Sequence, residues 1–424
     1  MTVVRRVGGE VRSLLALLVV SAAAAEFAHL LREAILGFAE NVYGERNTTE
    51  SIAHTSRWLP VLLIVTAILG ARILNLAAQR MFPGRLGLEA IANSAKGIPP
   101  GSSLRGTLVR TLATMIACMP GTSLGRESAI LESGGALGCA VGRKTRTDGP
   151  SLAAAGVAAA FAAAYHAPFG AVIYVGGHLA VWRKRRAMVY AVIGAVFSHW
   201  LTVTHLGGHP VFPGMQDGYA PMIVLGLVAL VPAFVGARLF VQLREWLPGT
   251  RAMREHQNAM VVLLALVSAG LVAVAPLSAG NGMEALRHVA VGGSIGAAVA
   301  MGLVKMLATS ATLGAKAPGG VFSPTLAVAA GWALATFVGL EALGVNLPGH
   351  HWDGIIVAMS VGVAVGLHSP LLGAVVIAEM CGKVGFVPVT AVAAFVAHRM
   401  AHRLDHFEES RHLPVPHDVH EEDA

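Results

Sequence analysis

Apolar residues do not alternate along this chain. They come in long unbroken runs, such as "LLALLVVSAAAA" (14–25), "WLPVLLIVTAILGARIL" (58–74), "MIVLGLVALVPAFVG" (222–236) and "MVVLLALVSAGLVAVA" (260–275). Runs of about 20 mostly apolar residues cross a bilayer as helices. The pattern predicts an all-α polytopic membrane protein. The first run is one of many, so it reads as a membrane helix and not as a cleaved leader. Other runs are too short to span and are interrupted by Gly or Pro. Irregular backbone at membrane depth is tolerated only inside protein or along a cavity.

The broken segments occur twice. "HAPFGAVIYV" (166–175) resembles "HSPLLGAVVIAE" (368–379). Upstream of each lies a glycine-led stretch, beginning at Gly125 and at Gly320, with Ser three residues on and Leu six residues on. The order is the same in both. We read residues 1–424 as one transmembrane domain of two halves, about 12–205 and 215–405, with a short polar tail at 411–424 and no appended soluble domain. Broken helices at corresponding places in two halves point to a site near the bilayer midplane.

Composition adds direction to this picture. Only 13% of the 424 residues are charged, about half of what a soluble domain carries, and mean hydropathy is +0.64. The net charge of +7 is not a nucleic-acid footprint, because the basic residues cluster at helix ends, as in "WRKRRAM" (182–188) and "AHRMAHRLDH" (397–406). The positive-inside rule puts those ends, and both termini, in the cytoplasm, with 40–57 and 205–220 outside. Cys118, Cys139 and Cys381 lie in or beside apolar runs and read as buried small residues.

Three segments carry glycines, and often a proline, just before an apolar run: "SAKGIPPG" (94–101), "GTSLGRES" (121–128) and "KAPGGVFSPT" (316–325). They read as helix starts aimed at a common point. Free amides at a helix start carry about half a positive charge and suit an anion that must move on.

Here the chain resembles the CLC chloride channel and transporter family. The family's signatures G-S-G-I-P, G-R-E-G-P and G-x-F-x-P correspond to Ala95-Lys96-Gly97-Ile98-Pro99, Gly125-Arg126-Glu127-Ser128-Ala129 and Gly320-Val321-Phe322-Ser323-Pro324. The resemblance runs from about residue 60 to 395. It implies a homodimer in an inner or plasma membrane, with one anion pathway per subunit. It also implies two inverted halves of tilted and re-entrant helices, and no cofactor beyond the transported anion. Backbone N–H groups of Val321 and Phe322, after Gly320, would cradle a central anion. Those around Gly125, Arg126 and Ser128 would face an outer one, with Arg126 contributing mainly its backbone. Glu127 falls on the gating glutamate.

Several positions depart from the family pattern. Lys96 stands for an anion-contacting serine, beside Gly97 and Ile98. Three readings are open for it: an anion ligand, a partner for Glu127, or a stem that snorkels to water. The family's late tyrosine has no counterpart, since no tyrosine follows Tyr219; His406 or Phe407 lies in its neighbourhood. His178 takes the place of the inward glutamate of proton-coupled members and is a candidate proton relay. Exchanger and passive channel are therefore both open. Glu132 and Glu379 read as buried structural acids. Gly134, Gly138 and Gly142, four apart, read as a packing stripe. His398, His402 and His406 share a helix face and read as a solvated cytoplasmic surface. No metal is expected.

Two other classes are open. "GTSLG" (121–125) fits G-x-S-x-G, with Ser123 as nucleophile and His166 or His178 as base, but that motif needs a strand–turn–helix context. A transport-impaired anion sensor is suggested by Lys96.

Overall fold

A computed structural model describes residues 2–412, with side chains from 8 to 406. Phe407 and the predicted tail at 411–424 fall outside the described side chains. Among the described residues the chain is helical throughout, with no strand beyond one isolated bridge. The first half holds α1 (Thr2–Tyr43), α2 (Thr48–His54), α3 (Trp58–Met81), α4 (Gly87–Lys96), α5 (Leu104–Cys118), α6 (Glu127–Thr145), α7 (Gly149–Tyr165), α8 (Pro168–His178) and α9 (Arg185–His205). The second holds α10 (Tyr219–Trp246), α11 (Arg251–Glu255), α12 (Gln257–Val274), α13 (Met283–Val291), α14 (Ile295–Val299), α15 (Lys305–Gly314), α16 (Phe322–Ala342), α17 (His351–Gly366), α18 (Pro370–Met380) and α19 (Val387–His412). A turn of π-helix, Ala300–Val304, leads into α15.

Eight helical segments among the described residues are long and apolar enough to cross a membrane. The rest of the fold explains itself by length. α8 and α18 have 11 residues each, or about 16 Å at 1.5 Å per residue. That is roughly half a hydrocarbon core, so both must end inside protein. The succession α6–α7–α8 recurs as α16–α17–α18, with lengths of 19, 17 and 11 residues against 21, 16 and 11. α8 packs on α18. Glu379, near the end of α18, accepts hydrogen bonds from the amides of Phe169 and Gly170 at 2.9 and 2.7 Å. One short helix thus ends where the other begins, as two inverted halves require.

The core lies along α7 and α17, which are buried on nearly every side. α7 can sit there because its sequence, GPSLAAAGVAAAFAAAY, is nearly all small. Asp148 caps its start on the Ser151 amide at 3.1 Å. The glycine stripe of α6 lies directly on it. A Cβ built at Gly134 would fall 2.3 Å from the Gly156 carbonyl oxygen, and one at Gly138 would fall 2.1 Å from that of Leu152. The stripe is therefore a backbone-to-backbone seam between α6 and α7. Elsewhere, Arg110 bonds Glu132 at 2.9 Å and Asn75 at 2.7 Å, so Glu132 has its partners inside the first half. Cys118, Cys139 and Cys381 are free and buried.

The seam gives a direct test. Gly138→Val should cost on the order of 1–3 kcal/mol or more through overpacking, read as a lower unfolding temperature and a lost monodisperse peak in detergent. Gly70→Ala, where a new Cβ meets nothing within 4 Å, should change neither. Equal behaviour of the two variants would show that the seam does not hold α6 to α7.

Candidate functional site

The second and third glycine-led segments meet. Gly125 and Gly320 form an antiparallel bridge, with Gly125 N–H donating to the Gly320 carbonyl at 3.0 Å and Gly320 N–H to the Gly125 carbonyl at 2.7 Å. Each glycine leads within two residues into a helix, α6 on one side and α16 on the other. Neither helix start has a side-chain cap. The structural helices nearby do: α5 has Ser103 and α7 has Asp148. Among the described residues, the amides of Glu127, Ser128, Val321 and Phe322 donate to nothing. Two buried helix starts with free amides are an uncompensated cost unless something negative comes to them.

What comes is the carboxylate of Glu127. This first residue of α6 is 3% exposed. Its Oε1 accepts from the Ser323 amide at 3.3 Å and from the Ser323 hydroxyl in a short hydrogen bond. It is thus seated on the start of the opposite helix, α16. Its Oε2 has no partner. A Cβ built at Gly125 or Gly320 would lie 1.8 or 2.3 Å from that oxygen, so glycine at both bridge positions makes the room the carboxylate occupies. The hydroxyl of Ser128, also buried, is unpartnered as well.

Beside this point opens a chamber of about 360 Å³. Arg32, Arg126, Arg287, His166 and His209 line it, with Glu284 the one carboxylate among the lining residues. Glu284 is itself engaged by the amide and hydroxyl of Thr49 at 3.0 and 3.1 Å. The Arg126 guanidinium borders the chamber and makes no ion pair or hydrogen bond among the described residues. The side chain as well as the backbone of Arg126 thus adjoins the site. Loop residues from 40–57 and from 205–220 border this chamber and the cleft continuous with it.

The first segment is elsewhere. Lys96 ends α4, and Gly97 closes that helix in the left-handed region at φ 75°. The stretch 94–101 is thus a helix end and loop; the next helix begins only at Leu104. Gly97 and Ile98 are exposed and line a surface pocket with Cys139 and Arg143. Those two lie 12 and 16 residues into α6, roughly 18–24 Å from Glu127 along its axis. Lys96 is half-exposed, forms no ion pair among the described residues, and offers its carbonyl to the Lys184 ammonium. It is not a partner of Glu127.

Two residues that the sequence reading passed over belong to the site. Tyr165, at the end of α7, places its hydroxyl 3.2 Å from the Ser323 hydroxyl. Its ring rests on Phe161 and Phe322, with centroids 4.9 and 4.7 Å away. Lys305 is fully buried. Its ammonium donates to the carbonyls of Ser278 and Gly280, both at 3.0 Å, and to Ser123 at 3.3 Å. It so ties the 275–282 loop to the 121–125 loop that precedes Glu127. A single lysine in the apolar run "IGAAVAMGLVKMLATSATLG" was the readable signal, since an ionisable group within a membrane segment marks function by default.

Ser123 is sealed. It is 0% exposed and bonded to Thr309 at 2.8 Å besides Lys305. His166 lies on the chamber wall, and His178 stacks on Tyr174 at 4.3 Å near the end of α8. Neither reaches Ser123. The histidines of α19 share a face, His402 and His406 lying 4.4 Å apart. Among the described residues, no group of three or more His, Cys, Asp or Glu is placed to hold a metal.

Two inverted halves whose uncapped helix starts meet at a glycine bridge define a membrane protein with a site made for negative charge. Residues 67–402 match the family model described as "Voltage gated chloride channel", and the chain belongs to that family. A Citrobacter koseri protein named voltage-gated ClC-type chloride channel ClcB is 29% identical over 320 residues, which is 70% of this chain and 73% of that one. Its Salmonella typhimurium namesake is 25% identical over 310 residues, 71% of this chain and 74% of the relative. The solved structure of a slow cyanobacterial Cl−/H+ antiporter has a TM-score of 0.75 at 17% identity, over 93% of this chain and 95% of its own. That of a CLC-type fluoride/proton antiporter has a TM-score of 0.64 at 17% identity, over 91% and 94%. These likenesses show the fold.

Lys305→Met should destabilise the protein by about 1–3 kcal/mol for each buried acceptor left without a donor, measured as a lower unfolding temperature in detergent. Arg105→Gln, at an exposed position near the start of α5, should not. An unshifted Lys305→Met variant would show that the lysine does not hold the two loops.

Proposed function

We propose that this protein carries a small monovalent anion, chloride by default, across the membrane between the starts of α6 and α16, with Glu127 as the gate. The observation that carries this reading is the Glu127 carboxylate seated on the uncapped start of α16. A carboxylate and a halide satisfy the same free amides. While ionised, Glu127 holds the place. Protonation removes the charge that the helix start attracts, the side chain leaves, and an anion enters. Gly125, Gly320, Val321 and Phe322 supply room and amides. Arg126 and Ser128 face the incoming anion.

The chamber supports an outer mouth. Three arginines against one engaged carboxylate raise the local anion concentration. With 40–57 and 205–220 outside, both termini are cytoplasmic. The exposed apolar side chains of α8, α9, α18 and α19, such as Phe169, Val196, Leu371 and Val392, suit a homodimer in lipid. Lys96 is half-exposed and remote from the gate, so the sensor reading loses its motive. A sealed Ser123 gives hydrolysis no nucleophile.

Coupled exchange and passive flow share this site. Exchange needs an inward proton relay, for which His178 is the candidate, linked to the gate region by the contiguous rings of Tyr174, Phe161 and Phe322. In reconstituted protein, coupled exchange predicts a reversal potential that moves with the pH gradient; a potential set by the anion gradient alone would establish a channel. Glu127→Gln should abolish the pH response of flux, and an unchanged response would remove Glu127 as gate. Arg32→Gln with Arg287→Gln should lower flux several-fold at low ionic strength and much less at 0.5 M salt, where screening is strong; loss independent of salt would contradict an electrostatic mouth.

A further inference from the structure

We propose that Tyr165 and Ser323 are the hydroxyl ligands of the transported anion, a donor pair assembled from α7 and α16. The proposal deepens the anion-pathway reading above and rests on it.

The geometry fixes the direction of the hydrogen bonds. Ser323 is fully buried and Tyr165 is 4% exposed. The Ser323 hydroxyl donates its one proton to Glu127 Oε1, because an ionised carboxylate only accepts. The Tyr165 hydroxyl, 3.2 Å away, can then meet Ser323 only as donor to its oxygen. The result is a chain of donors, Tyr165 to Ser323 to Glu127, ending on negative charge. Nothing in that chain is specific to a carboxylate. When Glu127 leaves, an anion in the vacated place meets the Ser323 amide and hydroxyl, with the amides of Val321 and Phe322 beside them. The Tyr165 hydroxyl keeps the serine proton pointed at the anion, or donates to it directly. Tyr165 also borders the outer chamber.

The ring of Tyr165 is clamped apart from its hydroxyl. Phe161 and Phe322 hold it at 4.9 and 4.7 Å. Phenylalanine would keep those contacts and remove one oxygen, which separates the ligand role from packing. Hydroxyl donors favour anions that accept strong hydrogen bonds. The pair therefore sets selectivity for chloride over weakly accepting anions such as thiocyanate.

The test is concentration-dependent flux in proteoliposomes of the full chain, with chloride and with thiocyanate, for wild type, Tyr165→Phe, Ser323→Ala and Glu127→Gln. A lost hydrogen bond to a charged group predicts a rise of about tenfold in the chloride concentration for half-maximal flux in Tyr165→Phe. The thiocyanate value should move much less, so the chloride preference falls. Should Ser323→Ala fail to fold, Tyr165→Phe alone decides. An unchanged half-saturation and an unchanged chloride preference in Tyr165→Phe would overturn the proposal. So would an equal rise for both anions, which marks a packing defect. Glu127→Gln keeps the two readings apart: altered flux there with a silent Tyr165→Phe rejects only the hydroxyl ligands, whereas a silent Glu127→Gln rejects the gated pathway itself.

Discussion

The two-glycine bridge between Gly125 and Gly320 governs everything around it. Its pair of hydrogen bonds holds loops from opposite halves back to back, so α6 and α16 begin within one small volume. A helix that starts in water keeps its free amides hydrated. Here burial removes that option, and only the contents of the crevice can satisfy them. Any side chain on either glycine would take the place of the Glu127 carboxylate. The bridge thus converts two ordinary helix ends into a site whose occupant must accept hydrogen bonds and favour a positive potential.

Charge inside the protein sorts into two kinds. Glu132 is held by Arg110, Glu379 by the first amides of α8, and Lys305 by carbonyls of one loop and a serine of another. Buried charges of this kind are stable because every one is paired or hydrogen-bonded. The second kind is left incomplete: one oxygen of Glu127 and the guanidinium of Arg126. Arg126 borders the chamber, and the free oxygen of Glu127 is buried at the bridge. Lys305 belongs with the first kind, because its donors are committed to two carbonyls and a serine.

Much of this was legible in the sequence for a physical reason. Runs of 20 apolar residues, glycine-led helix starts and a repeated His-x-Pro segment are local signals, and each produces its element wherever the chain places it. The glycine-led start of α6 was legible because Gly125, Arg126 and Glu127 are consecutive. What was not legible depends on contacts between distant segments. Tyr165 and Ser323 are 158 residues apart, and nothing near either one announces the other. The side-chain role of Arg126 depends on which neighbours leave it unpaired. Lys96 failed for the opposite reason. Its motif matched, but whether a Gly-rich stretch ends one helix or begins the next is decided by backbone geometry. Gly97 in the left-handed region closes α4 there, and the stretch turns outward.

That displacement bears on how tightly the site can hold. A full ammonium at the bridge would act through low dielectric with an attraction far above that of a dipole, and an anion so held would not move on. The occupied place is instead met by the amide and hydroxyl of Ser323, with the Tyr165 hydroxyl behind them. The formal positive charges stand back from it, Arg126 on the chamber wall, Lys305 saturated by carbonyls, and Lys96 half in water at the far end of α6. On the proposed reading, a binding place made of neutral donors can be filled by a carboxylate and emptied by one proton. The same place made with a lysine could not, because neutralising the carboxylate would leave a buried cation without a partner.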